Sequence, residues 1–203
     1  MWLVTETEVT NDINDAYTRM QGLGTVYAVT GNHESAPVNS FPPLAVSTDM
    51  SSQWVYNALS KNWAGWIGSA GASQASSNHG SYSYVDKSGL RIISVNTNFW
   101  YKQNFWLYER TMEHDPSGMF AWLVSELELA EAAGQRAWII GHMPMGTTDT
   151  FHDASYYFGE WPLTTCISSR SGVLTDRGNR PHRPAVRGHH RGRLLRVIRV
   201  FGP

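Results

Sequence analysis

The chain has 203 residues, and its nine Trp, nine Tyr and seven Phe supply enough apolar side chain for one sizeable core, so disorder throughout is excluded. The net charge of −1 hides a division: residues 1–166 hold 16 of the 17 acids and sum to −9, whereas residues 167–203 hold nine Arg and one acid, Asp176, and sum to +8. A folded domain over residues 1–166 and an Arg-rich tail over residues 167–203 are therefore expected. A membrane span is not supported, because no run of about 18 apolar residues exists. Met1-Trp2-Leu3-Val4 passes at once into Thr and Glu, which does not read as a signal peptide. The single Cys166 cannot form an internal disulfide and leaves the redox compartment unread.

In chain order, Val9, Ile13, Ala16, Tyr17 and Met20 recur at spacings of three and four and predict a helix over residues 7–21, ended by Gly22 and Gly24. The β-branched and aromatic run over residues 25–30 predicts a buried strand, broken by Gly31-Asn32. Pro37, Pro42 and Pro43 forbid regular structure, so residues 35–48 read as a loop. Ser47-Thr48-Asp49 offers a cap for a helix over residues 51–66, followed by a small-residue loop over residues 68–80. A hairpin follows, with strands at residues 81–86 and 90–95 about a Lys87-Ser88-Gly89 turn. Asn96-Thr97-Asn98-Phe99-Trp100 either lines a pocket or caps a sheet end, the cap being the plainer reading. A helix over residues 116–133, begun by Pro116 and ended by Gly134, leads to a strand over residues 136–140 that runs into Gly141-His142-Met143-Pro144.

Two strands thus end in a Gly followed by a ligand-bearing turn. Adjacent parallel strands would bring His33 and His142 to one rim, the place where open α/β sheets bind ligands. An imidazole is a good zinc ligand, an Asn carbonyl oxygen a weaker neutral one, and a carboxylate can orient a His through its other ring nitrogen. Asn32, His33, Glu34 and His142 fit those roles, which points to metal-assisted hydrolysis.

The stretch Gly31-Asn32-His33-Glu34-Ser35-Ala36-Pro37-Val38-Asn39-Ser40-Phe41-Pro42-Pro43 resembles the signature loop of acid sphingomyelinase-like phosphodiesterases within the calcineurin-like metallophosphoesterases. The resemblance continues through Leu90-Arg91-Ile92-Ile93-Ser94-Val95-Asn96, Asn104-Phe105-Trp106-Leu107, Asp115-Pro116-Ser117-Gly118, Trp122-Leu123-Val124-Ser125-Glu126-Leu127 and Ile139-Ile140-Gly141-His142-Met143-Pro144, covering residues 2–158. It implies an α/β sandwich of two facing sheets flanked by helices, here partial, and a phosphodiesterase with two zinc ions that cleaves sphingomyelin-like diesters to a phosphorylated headgroup and a lipid alcohol. By the same resemblance Asn32 and His142 ligate one metal, His33 stabilises the phosphoryl oxygens or protonates the departing alkoxide, and Glu34 orients it. A secreted or lysosomal location is also implied, with a phospholipid or sphingolipid as partner.

The family pattern also has Asp-x-His and Gly-Asp motifs ahead of this loop, and neither occurs before residue 31. Asp12 and Asp15 follow no strand and read as the solvated face of a helix. Gly188-His189-His190-Arg191 carries Arg where a downstream Gly-His-x-His motif has its second His. The chain therefore retains ligands for one zinc only, and a catalytically inactive fragment is the alternative to an active enzyme. The tail is too poor in core-forming residues to fold and reads as disordered or as the product of a shifted reading frame. Nine Arg could attract an anionic surface, but no reader fold accompanies them, so nucleic acid is not the expected partner. Leu194-Leu195 and Val197-Ile198 between arginines form a short basic amphipathic segment.

Overall fold

Thr5 opens the first helix. Its hydroxyl accepts from the Glu8 amide at 3.2 Å while Glu8 Oε2 accepts from the Thr5 amide at 2.8 Å, a reciprocal cap for α1 (Glu6–Met20). The computed structural model describes residues 4–43, 46, 49–108, 115–143, 147–148, 151–154 and 196–199. In α1, Val9 and Ile13 are buried while Asp12 and Asp15 face solvent, with Asp15 paired to Arg19 at 3.0 Å, as the spacing predicts.

Helix α2 (Gln53–Ser77) is longer than expected. It starts after Ser52 rather than from Ser47-Thr48-Asp49, and the Ser52 hydroxyl instead donates to the Ser40 carbonyl at 2.9 Å. At Gly68, φ is 71°, a backbone that glycine adopts without a Cβ clash, and the chain folds back there. Residues 69–77, read from the sequence as a loop, form a second helical piece against the first. Ser60 Oγ donates to the Ala72 carbonyl at 2.6 Å and Gln53 Nε2 to the Ser76 carbonyl at 3.0 Å. Buried Gly71, Ala72 and Ala75 make this close approach possible, so small side chains here mark packing rather than mobility.

The hairpin is β1 (Tyr82–Val85) and β2 (Arg91–Ser94), with Tyr82 opposite Ser94. Asp86 Oδ1 ties its turn by accepting from the amides of Ser88 and Leu90 at 2.8 and 2.9 Å. The chain then crosses through α3 (Met119–Ala132) to β3 (Ala137–Gly141), which pairs parallel to β2 with Ile93 opposite Ile139. Residues 116–118 form a short 3-10 turn, and the Asp115 carboxylate caps α3 by accepting from the amides of Phe120 and Ala121 at 2.6 and 3.1 Å. A short ladder joins β4 (Thr147–Thr148) to β5 (Phe151–Ala154). From the tail, expected to lack regular structure, β6 (Arg196–Arg199) lies parallel to β3 and makes the main sheet four-stranded, in the order β1-β2-β3-β6. Val197 and Ile198 supply β-branched residues at this register. The remainder of the tail lies outside the described residues.

The fold is therefore of the expected mixed α/β class, with one four-stranded sheet and the separate β4–β5 ladder. Residues 25–30 are a correction. They are not a strand, and among the described residues no backbone–backbone hydrogen bond involves residues 25–30. Side chains hold this run instead: Tyr82 Oη and Ser94 Oγ both donate to the Ala28 carbonyl, at 2.9 and 3.0 Å. Strand propensity describes burial well, and Ala28 and Thr30 are buried, but a ladder also needs a neighbouring strand.

Trp63 sits between α1 and the sheet, with ring centroids 6.2 Å from Tyr17 and 5.6 Å from Tyr82. Trp100 stacks on Phe120 of α3 at 4.3 Å. Beneath α3, Arg91 Nη1 meets Glu126 Oε2 at 2.6 Å with side chains only 14% and 10% exposed. Arg91 also donates to Gln135 and Ser83 at 3.0 and 3.1 Å, and Gln74 of α2 donates to Glu126 at 3.3 Å. One polar cluster thus ties α2, the hairpin and α3 together.

His79, at φ 54°, lies edge-on to Tyr56 and Phe99 at 5.7 and 5.8 Å, and burial holds its imidazolium below the usual histidine range. The imidazole takes up a proton near pH 6.5 in the unfolded chain and only at lower pH in the folded one, so stability is full above that pH and falls as pH drops through it. The expected result is a melting temperature that declines from pH 7.5 to pH 5 with a shallower slope in His79→Asn, since Asn tolerates the left-handed backbone. Identical slopes in the two proteins would show that His79 does not titrate on unfolding.

Candidate metal and catalytic site

After Gly31 the chain makes a 3-10 turn over Asn32–Glu34, and the loop closes on itself. The Asn39 amide donates to the Asn32 carbonyl at 3.0 Å, and Asn32 Nδ2 donates to Asn39 Oδ1 at 2.8 Å. Asn39 takes a left-handed φ of 66°, which Asn tolerates better than most residues. The Asn32 amide is thereby buried and turned, with its oxygen pointing away from Asn39.

That oxygen meets His142. Nε2 of His142, on the residue after β3, lies 2.9 Å from Asn32 Oδ1 across 110 residues of chain. An amide oxygen only accepts, so Nε2 carries the hydrogen in this state. Burial, with the neighbouring His33, holds the His142 imidazolium below the usual histidine range, which keeps the ring neutral. A neutral ring is the form that ligates metals. Two ligands of one tetrahedral zinc, each about 2.0–2.2 Å from it, stand about 3.4 Å apart, so this pair could serve as neighbouring ligands after opening by about half an ångström and moving the Nε2 hydrogen to Nδ1. Among the described residues no group of three or more His, Cys, Asp or Glu could hold a metal ion.

His33 and His142 lie near each other, and, in addition to burial, His33 lowers the His142 pKa by charge. His33 is exposed at the turn, and the group beside His142 is the amide of Asn32. Glu34 is half-buried, with its carboxyl over the Gly31 α-carbon, where an added methyl would meet Oε2 at 2.6 Å. Burial raises its pKa, while the amides of Glu34 and Gly31 pull it back. Glu34 also acts on Tyr17 of α1, whose hydroxyl is pushed up to about 12, mainly by burial. Among the described residues no hydrogen bond joins Glu34 to His33. Gly188-His189-His190-Arg191 lies outside the described residues.

Sequence reasoning missed the residues that hold this geometry. Asn98 Nδ2 donates to the Thr30 carbonyl at 3.1 Å, and Asn104 both accepts from the Phe41 amide at 3.3 Å and donates to the Phe41 carbonyl at 3.0 Å. Trp106 Nε1 donates to Ser40 Oγ at 3.1 Å, and the Met143 amide donates to Thr97 Oγ1 at 2.8 Å. The available signal was the run of amides in Asn96-Thr97-Asn98, which is fully or nearly fully buried and serves the sheet end rather than an open pocket.

No family model matches the chain. It is 46% identical over 121 residues to the sphingomyelin phosphodiesterase of Homo sapiens, covering 60% of this chain and 19% of that protein. It is 38% identical over 125 residues to sphingomyelin phosphodiesterase B of Dictyostelium discoideum, covering 61% of this chain and 18% of that protein. It is also 30% identical over 157 residues to the cyclic GMP-AMP phosphodiesterase SMPDL3A of Mus musculus, covering 74% of this chain and 32% of that protein. The chain thus spans about a fifth to a third of the length of these relatives. Over part of their length, the chain is thus similar to sphingomyelin phosphodiesterases.

Proposed function

We propose that the chain is a segment of a metal-dependent phosphodiesterase of the calcineurin-like kind, acting on sphingomyelin-like diesters, and that it carries one metal position and the proton donor. The observation that supports this most is the 2.9 Å approach of His142 Nε2 to Asn32 Oδ1. Asn32 and His142 would hold zinc, which when bound supplies Lewis-acid polarisation of the phosphodiester. His33, exposed beside this pair, can reach a substrate from solvent and donate a proton to the departing lipid alkoxide as a water attacks phosphorus and the P–O bond to the lipid breaks, which leaves a phosphorylated headgroup and a lipid alcohol. The four-stranded sheet with its helices fits one half of a two-sheet sandwich. Relatives named for sphingomyelin and for cyclic GMP-AMP share the diester linkage, which is the chemistry this reading requires. A secreted or lysosomal setting follows from the same resemblance. No helix of the described residues is long and apolar enough to cross a membrane.

A second reading, an inactive fragment, is favoured by the count of two ligands among the described residues, since structural and catalytic zinc sites use at least three protein ligands. Zinc competition against a chromophoric chelator, followed by a sphingomyelin hydrolysis assay, separates the two. Asn32→Ala and His142→Ala are expected to weaken zinc binding about tenfold or more and His33→Ala to leave it unchanged, because only the first two remove donors. Equal affinity in all four proteins would overturn the ligand assignment. Zinc-dependent turnover that disappears in His33→Ala establishes the enzyme reading, and zinc binding without turnover establishes the second.

A further inference from the structure

Two consecutive residues, Thr97 and Asn98, between them grip both ligand-bearing segments. Thr97 Oγ1 accepts from the amide of Met143, the residue after His142, at 2.8 Å. On the other side of His142, Gly141 leaves the space that Thr97 fills: a Cβ there would meet Thr97 Cγ2 at 2.7 Å and the Val95 carbonyl oxygen at 3.4 Å. Thr97 is thus seated against the residues on both sides of His142. Asn98 Nδ2 donates at 3.1 Å to the carbonyl of Thr30, two residues before Asn32.

The rest of the segment makes this grip stiff. Asn96 Oδ1 accepts from the amide and side chain of Asn98 at 3.1 and 2.8 Å, fixing the Asn98 side chain, and the Asn96 amide donates to Ser81 Oγ at 2.8 Å. Asn104 Nδ2 donates to the Asn98 carbonyl at 3.1 Å as well as to Phe41, so the far end of the Asn32 loop is tied to the same place. Asn96, Asn98 and Asn104 are fully buried. Residues 25–30 make no backbone–backbone hydrogen bond among the described residues, so the Asn98 contact replaces the ladder that would otherwise register the Asn32 arm.

We infer that Thr97 and Asn98 are positioning residues that set the separation of Asn32 Oδ1 and His142 Nε2. The inference rests on the proposed role of that pair as ligands of one metal. Loss of either grip lets one arm move independently of the other and breaks both the metal-free hydrogen bond and the paired presentation of donors.

The test uses Thr97→Val, which keeps the methyl against Gly141 and removes the acceptor, Thr97→Ser, which keeps the acceptor, and Asn98→Ala. Ser60→Ala, which deletes a hydrogen bond inside α2, is the control for plain loss of stability. In the metal-free chain, imidazole 15N spectra should show His142 as the Nε2–H tautomer in the native, Thr97→Ser and Ser60→Ala proteins and as a mixture in Thr97→Val and Asn98→Ala. Zinc affinity by chelator competition should fall about tenfold or more in Thr97→Val and Asn98→Ala, and stay within about twofold of native in Thr97→Ser and Ser60→Ala, the range seen when outer partners of metal ligands are lost or kept. A Thr97→Val protein that melts lower yet keeps the native tautomer and zinc affinity would overturn the inference. If Asn32→Ala and His142→Ala leave zinc affinity untouched, the ligand reading fails, and the tautomer of His142 in the metal-free chain still decides the positioning role.

Discussion

Glu126→Leu is expected to cost about 3–5 kcal/mol of unfolding free energy, the loss typical of breaking a buried ion pair from one side. The Arg91 side chain is only 14% exposed, so without Glu126 its guanidinium is left with neutral partners at Gln135 and Ser83. Gln74 loses an acceptor at the same time. The double variant Arg91→Leu, Glu126→Leu is expected to recover most of that loss, because no unpaired charge remains. Urea unfolding midpoints at constant slope would measure both. A single variant within about 1 kcal/mol of native would show that water reaches Arg91 and that the pair behaves as a surface one.

Trp63→Ala is the second large effect, about 3–5 kcal/mol for a buried Trp truncated to a methyl. Trp63 is fully buried and joins Tyr17 of α1 to Tyr82 of β1, so its loss separates the helical layer from the hairpin. For a domain of this size that corresponds to a fall in melting temperature of roughly 6–20 °C. Trp63→Phe, which keeps a ring against both tyrosines, should recover a good part of the difference. If Trp63→Ala and Trp63→Phe melt together, packing against Tyr17 and Tyr82 is not what Trp63 contributes.

Elements whose signals are local were legible in the sequence. The heptad-like spacing of Val9, Ile13 and Met20, the Lys87-Ser88-Gly89 turn and the Gly134 stop all act within a few residues, and α1, the hairpin and the end of α3 fall within one to three residues of expectation. Residues 25–30 were misread because periodicity registers which side chains are buried and is blind to whether a neighbouring strand exists. The Gly-Ala-Ser stretch after Gly68 was misread for a different reason: small residues suit a loop and a tight helix pair equally, and only the partner helix decides. Of the site, Asn32, His33 and His142 were named from motifs, and the structure joins Asn32 to His142 directly. Thr97, Asn98 and Asn104 act through hydrogen bonds that cross 46 to 68 residues, and no local pattern encodes those partners.

Adjacent residues on one buried segment hold the two arms of the site. A displacement of the sheet end carries Thr97 and Asn98 together, so it reaches the Asn32 arm and the His142 arm as one shared translation. Fluctuations of the scaffold therefore cancel in the distance between the two donor atoms. The gap between them depends on two short tethers.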